Sequence, residues 1–216
     1  MELTGLAGGF YKVSEWMMRI VYVNFLWIFF TLIGCVILGI MPATIAMFTL
    51  IRRWYRKEEF PTFQTYWQVY KREFITGNKF GIIFGIALYL LYFNLQYLST
   101  ISGNYHTIML FGFSLASLIF IIFLLYFFPV YVHFELSFRQ YFRQTLMLGL
   151  INFHMVVVMV IVLTILYFLF MSVPGLAPFF TIGLPAFFIM AMAQLSFKYM
   201  EKKNRKSHEK ISVSNA

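Results

Sequence analysis

"GIMPATIAMFTLIRRWYRKEE", residues Gly39 to Glu59, closes an apolar run that begins at Ile20 and stops abruptly in a cluster of charge. Read straight through, Ile20 to Ile51 is a single helix of 32 residues. At 1.5 Å per residue it is about 48 Å long, well beyond a hydrocarbon core about 30 Å thick. A break inside the quoted stretch resolves the excess. Glycine suits a helix C-terminus, and proline suits the first turn of the next helix, where its missing N–H costs nothing. Gly39-Ile40-Met41-Pro42 therefore reads as a turn, with one helix ending near Leu38 and a short second one running from about Pro42 to Arg56. The alternative is one long span kinked at Gly39–Pro42.

The basic residues favour the turn. Seven Lys or Arg lie between Arg52 and Lys79, two between Pro129 and Leu146 (Arg139 and Arg143), and six from Lys198 onward, while the connections 99–107 and 172–178 have none. Cytoplasmic connections collect Lys and Arg. With a turn at Gly39–Pro42, Lys12 and Arg19 join every other basic residue on the cytoplasmic side. With a single kinked span they face out alone.

The rest of the 216 residues agrees with a membrane protein: 61% are hydrophobic and 12% charged, against about 45–50% and about 25% in soluble domains. Four further apolar runs, Phe80 to Leu98, Ile108 to Phe128, Leu146 to Met171 and Phe179 to Leu195, are each near or above membrane-crossing length. The expected fold is an all-α polytopic membrane helix bundle of six helices, or five with the first kinked. It forms one domain over residues 1–199, followed by a disordered basic cytoplasmic tail over 200–216. No cleavable signal segment is expected at the N-terminus, because the first run is too long and lacks a small-residue cleavage site.

Two stretches between the runs share a texture. "FPTFQTYWQVYKREF" places Phe63, Trp67, Tyr70 and Phe74 on one helical stripe, with Arg72 off it; "HFELSFRQYFRQT" sets Phe134, Phe138, Tyr141 and Phe142 beside Arg139 and Arg143. Offset by 71 residues, Phe63, Trp67, Tyr70 and Arg72 match Phe134, Phe138, Tyr141 and Arg143, a pattern suggestive of an internal repeat. Each reads as a cytoplasmic amphipathic helix with its aromatic side in lipid and its basic side on anionic head groups. The sharper reading is a docking surface for a partner. Gly77, Gly81 and Gly85, one turn apart, form a small-residue stripe for close helix packing, either inside the bundle or in a homo-oligomer.

Chemistry is sparse. Asp is absent, and the single cysteine, Cys35, excludes an internal disulfide. No phosphate-binding glycine loop, HExxH or GxSxG pattern occurs, so neither an enzyme nor a cofactor or metal site is expected. His133 and Glu135 are two groups, too few for a metal centre. Asn24, Asn94, Asn152 and His154 are polar groups in or near the runs and are the candidates for lining a solute path. The basic tail beside a span is explained by orientation and anionic lipid, not by nucleic acid.

"MPATIAMFTLIRRWYRKEEFPTFQTYWQVYKREFITGNKFGII" and "YFFPVYVHFELSFRQYFRQTLMLGLINF" resemble the two characteristic stretches of the YesL family of bacterial membrane proteins, a domain of unknown function. The resemblance runs from about Phe10 to Phe197. It departs at Glu73, where the family pattern has asparagine before Phe74. What it implies is an accessory role in importing or breaking down plant-type polysaccharides, alongside ATP-driven sugar transporters in the cytoplasmic membrane. It carries no catalytic residues.

Overall fold

At the end of the first apolar run the chain reverses over Gly34-Cys35-Val36, with φ of 55° at Cys35 and 64° at Val36. Such values are costly for a β-branched residue, and surrounding structure must hold them in place. In the structure, a computed structural model, residues 6–98, 100 and 104–214 are described, excepting the side chains of 6–10, 12, 104 and 202–214. The chain turns about five residues earlier than Gly39–Pro42. Helix α1 is Leu6–Ile33 and α2 is Ile37–Tyr55. The shift removes the length problem, because α2 gains Ile37 to Met41 and becomes a helix of 19 residues.

Pairs equidistant from the apex show that α1 and α2 form an antiparallel hairpin. The indole of Trp27 donates to Thr44 Oγ1 at 3.0 Å, and Trp16 lies 6.5 Å from Trp54 and 5.4 Å from Tyr55. Arg19 lies over the Trp54 ring, so it shares the open end with Arg52 and Arg53. Lys12, the other half of the charge argument, has its side chain outside the described residues. Gly34 and Gly39 face each other at the apex, where a Cβ on either would overlap backbone. The glycine taken for a helix end is thus a close-approach residue inside α2.

Pro42 also lies inside α2. A proline there cannot donate to the carbonyl four residues back, which leaves Leu38 O without its helical partner. Asn78 supplies the missing donor: its Nδ2 bonds Leu38 O at 3.0 Å and Phe74 O at 2.7 Å. Asn78 belongs to α3, Thr62–Leu98, a continuous helix of 37 residues. The first aromatic segment is therefore the beginning of α3 and not a separate surface helix. It runs antiparallel to α2 after a turn in which Lys57 takes φ 58° and Glu58 N reaches Arg53 O at 3.1 Å. Tyr66 donates to Ala43 O at 2.8 Å and Tyr70 to Phe30 O at 3.0 Å, so three α3 side chains bond the hairpin backbone.

Beyond Asn78, α3 runs on past the apex for twenty residues, about 30 Å. Helix α4, Asn104–His133, returns beside it, pairing Phe123 with Phe84 at 5.5 Å and Phe127 with Phe80 at 5.1 Å. Helix α5, Phe138–Ile151, doubles back along α4 and breaks at Asn152 before α6, Phe153–Ser172. The run from Leu146 to Met171 is thus two helices. After the 3-10 turn Pro174–Leu176 and α7, Ala177–Phe180, the chain bends by 61° into α8, Gly183–Ser214. Helix α8 runs on into the basic tail, as far as Ser214.

Among the described residues there is no strand, and five helices are long and apolar enough to cross a membrane, or six if the bent pair counts as one span. The fold is the expected all-α membrane helix bundle. Phe30 anchors its first core, amid Phe63, Tyr66, Trp67 and Tyr70; Phe80 anchors another, amid Phe127, Tyr131, Phe138, Tyr141 and Phe142.

Replacing Asn78 with Ala should lower thermal stability in detergent by about 0.5–1.5 kcal/mol, the net contribution of a hydrogen bond. In a Pro42→Ala background, where residue 42 regains its N–H, the same replacement should cost much less. Equal losses in the two backgrounds would show that the Leu38 carbonyl is not what Asn78 serves.

Candidate functional site at the junction of α3, α4 and α5

The two aromatic-basic stretches converge on the C-terminal half of α4. Tyr131 on α4 donates to Glu73 Oε2 at 2.6 Å, and the other carboxylate oxygen of Glu73 accepts from Arg72 Nε at 2.8 Å. Tyr131 also stacks on Tyr141 of α5, ring centroids 4.8 Å apart. Tyr141 in turn ties the linker before its own helix, donating to Phe134 O at 3.1 Å and accepting from Leu136 N at 3.3 Å. The result is a line of contacts, Arg72, Glu73, Tyr131, Tyr141 and Phe134, through three helices and a linker. Glu73 is its ionic centre, accepting from Arg72 with one carboxylate oxygen and from Tyr131 with the other.

The expected docking residues divide into two groups. Tyr70 is buried, and Phe134 and Tyr141 are half-buried, so their rings serve internal packing. Phe63, Trp67 and Phe138 keep 49%, 37% and 45% of their surface exposed, and Arg72 and Arg143 are exposed beside them. The matched positions of the suggested repeat are not equivalent. Phe63 lies on α3, whereas Phe134 precedes the start of α5 at Phe138, and Tyr70 holds α1 where Tyr141 holds a linker.

The glycine stripe also divides. A Cβ on Gly77 would sit 3.0 Å from Ile45 Cδ1 and one on Gly81 2.7 Å from Met41 Cγ, while Gly85 has nothing within 4 Å. Gly77 and Gly81 are used by α2, inside one chain.

The solute-path candidates are not brought together. Asn24 is buried and bonded through both amide atoms: its Nδ2 donates to Pro178 O at 2.8 Å, and its Oδ1 accepts from Ile182 N at 3.1 Å and Gly183 N at 3.0 Å, which caps α8. Asn152 is buried at the α5–α6 break, bonded to Leu148 O at 2.9 Å. Asn94 bonds Leu90 O at 2.7 Å on the far half of α3, and His154 is exposed on α6. The His133 ring packs 4.6 Å from both Phe134 and Phe197, while Glu135 is exposed. Among the described residues no three His, Cys, Asp or Glu are grouped to hold a metal ion.

Sequence reasoning missed Tyr66, Glu73, Asn78 and Phe80 as organising residues. Only Asn78 left a usable signal, as a lone amide opposite a helix that contains a proline.

These features define an integral membrane protein whose polar groups mostly serve helix packing. The family described as "Protein of unknown function, DUF624" matches residues 20–95. The uncharacterized proteins YteU, YesV and YesL of Bacillus subtilis strain 168 are similar to the chain. YteU is 34% identical over 96% of both chains, YesV 32% identical over 95% of this chain and 98% of its own length, and YesL 33% identical over 65% and 66%. The chain belongs to this YesL-like family. No solved structure matches it.

Tyr131→Phe removes a bond to a charged acceptor, and the expected loss is about 1.5–3 kcal/mol by thermal unfolding in detergent. Glu73→Gln, whose amide oxygen can still accept from Tyr131, should cost less. A larger loss in Glu73→Gln than in Tyr131→Phe would place the stabilisation in the Arg72 pair instead.

Proposed function

We propose that the chain is a non-enzymatic accessory component of carbohydrate uptake or polysaccharide utilisation in the bacterial cytoplasmic membrane, where it docks an ATP-driven sugar transporter. The observation that carries the docking half is the exposed part of the two aromatic-basic segments, Phe63, Trp67 and Arg72 on α3 with Phe138 on α5. Large aromatic and Arg side chains left partly uncovered are the residue types that dominate protein interfaces. Lys71 lies 4.8 Å from the centre of the Trp67 ring and adds a cation to the same edge. The carbohydrate half is supported by the family resemblance. The basic segments and the C-terminus lie on the cytoplasmic side in this reading, in contact with anionic lipid.

Affinity purification from native membranes tests the proposal. Subunits of an ATP-driven sugar transporter should accompany the wild type and the Tyr70→Phe control, whose change is internal. They should be lost from a variant combining Trp67→Ser with Phe138→Ser at unchanged yield. Retention by that variant counts against docking. Uptake of sugar by the purified protein alone in liposomes would favour an autonomous permease instead.

A further inference from the structure

Where α3 and α4 run on past the hairpin apex they splay, leaving a cavity of about 770 Å³ between them. Ile83, Phe84 and Leu98 line one wall and Met109, Ala116 and Phe123 the other, while Phe142 and Leu146 of α5 close the foot. Two features set this space apart from ordinary helix packing. Small residues on membrane helices normally admit a neighbouring helix, yet Gly112 lines this cavity with nothing within 4 Å of where its Cβ would be. The lining is also almost wholly apolar, and its one amide, Asn94, is bonded to its own helix.

Three cations neighbour the residues of the foot along α3 and α5, and none is itself part of the lining. Lys79 lies one turn before Ile83 on α3, Arg139 one turn before Phe142 on α5, and Arg143 directly after it. All three are exposed, and among the described residues none has a carboxylate within 4 Å. The nearby Glu73 is already held by Arg72 and Tyr131. No acidic side chain lines the cavity.

From these observations we infer that the cavity is a binding site for one anionic phospholipid, with its phosphate at Lys79, Arg139 and Arg143 and an acyl chain lying between α3 and α4. The dimensions agree. The fifteen-residue rise from Ile83 to Leu98 is about 22 Å, enough to hold the acyl chain of one leaflet, which is half of a core about 30 Å thick. Charge decides between occupants. A hydrophobic helix from a partner would fill the groove but leave three cations at its foot unanswered, whereas a phosphodiester answers them. Each cation near an anionic head group strengthens binding roughly fivefold. The inference does not depend on the docking proposal: the two meet on α5, where Phe138 precedes Arg139, but the triple variant below leaves Trp67 and Phe138 in place.

Native mass spectrometry of the full chain in detergent, with added phosphatidylglycerol or phosphatidylcholine, tests it. The wild type should retain one phosphatidylglycerol in preference to phosphatidylcholine. Combined replacement K79Q, R139Q and R143Q, all at exposed positions, should abolish that preference. Ala116→Trp and Ala87→Trp, each intruding into the groove, should weaken binding of both lipids at least fivefold. Undiminished preference in the triple variant, or wild-type binding in both Trp variants, overturns the site. A Cys35→Ser, Ala116→Cys chain that forms a disulfide-linked dimer in native membranes would show a second copy in the groove and would equally overturn it.

Discussion

The bond from Asn78 to the carbonyl freed by Pro42 sets the register of the first three helices. Inside α2 the proline leaves Leu38 O without a backbone donor, and the side-chain amide of Asn78 takes the vacant place. Such a bond contributes about 0.5–1.5 kcal/mol. Asn78 reaches Leu38 O only if the first half of α3 lies antiparallel to α2 at one axial position. Tyr66 and Tyr70 bond the backbone of the same hairpin from the same helix. Lipid competes weakly for such donors, so these bonds favour that position more than the surrounding apolar contacts, which tolerate sliding. The positive φ at Cys35 and Val36 then has its compensation, since the apex is clasped from α3 through Phe30 and Leu38 on either side of it.

Once this register is set, the two aromatic segments acquire different tasks. The rings of the first gather around Phe30 on α1, and those of the second gather around Phe80 on α3 itself. Each stripe thus spends one side on a single buried phenylalanine and leaves an edge outside. Burying a large aromatic contributes about 1.5–3 kcal/mol, and ring pairs add about 0.5–1.5 kcal/mol each. A similar texture in the two segments therefore needs no common ancestry. Both must cover a phenylalanine on a neighbouring helix.

The fold class and the reversal after the first apolar run were legible in the sequence, because apolar length and Lys/Arg placement act locally, whereas the run from Leu146 to Met171 hid the break at Asn152. The turn's position was not. Gly39 and Pro42 carry the local signature of a helix end and a helix start, but their uses are tertiary: Gly39 meets the backbone of Thr31 across the hairpin, and the carbonyl that Pro42 frees is covered by Asn78, forty positions further on. The separation of Asn24, Asn94, Asn152 and His154 was equally hidden. Each falls in or near an apolar run, and only the assembled helices show that two cap or tie backbone breaks, one bonds its own helix and one lies on the surface.

The glycines at 77, 81 and 85 show the same limit and lead on to the cavity. Their spacing puts all three on one face of α3, and no local property separates the third from the first two. The difference is where the neighbour ends. Gly77 and Gly81 meet Ile45 and Met41, residues of the first half of α2, whereas Gly85 lies one turn further on, past the apex, and meets nothing within 4 Å. Beyond that level α3 faces α4 among the described residues, and the pair stands apart around small residues such as Ala87 and Ala116. The hairpin apex therefore marks a boundary along α3. On one side small residues bring helices together; on the other they leave room. Lys79 stands at that boundary, on the turn where α3 leaves the hairpin for the open groove. A phosphate held there would send its acyl chain along the unfilled side, so the hairpin's length fixes both where the groove begins and where its charge lies.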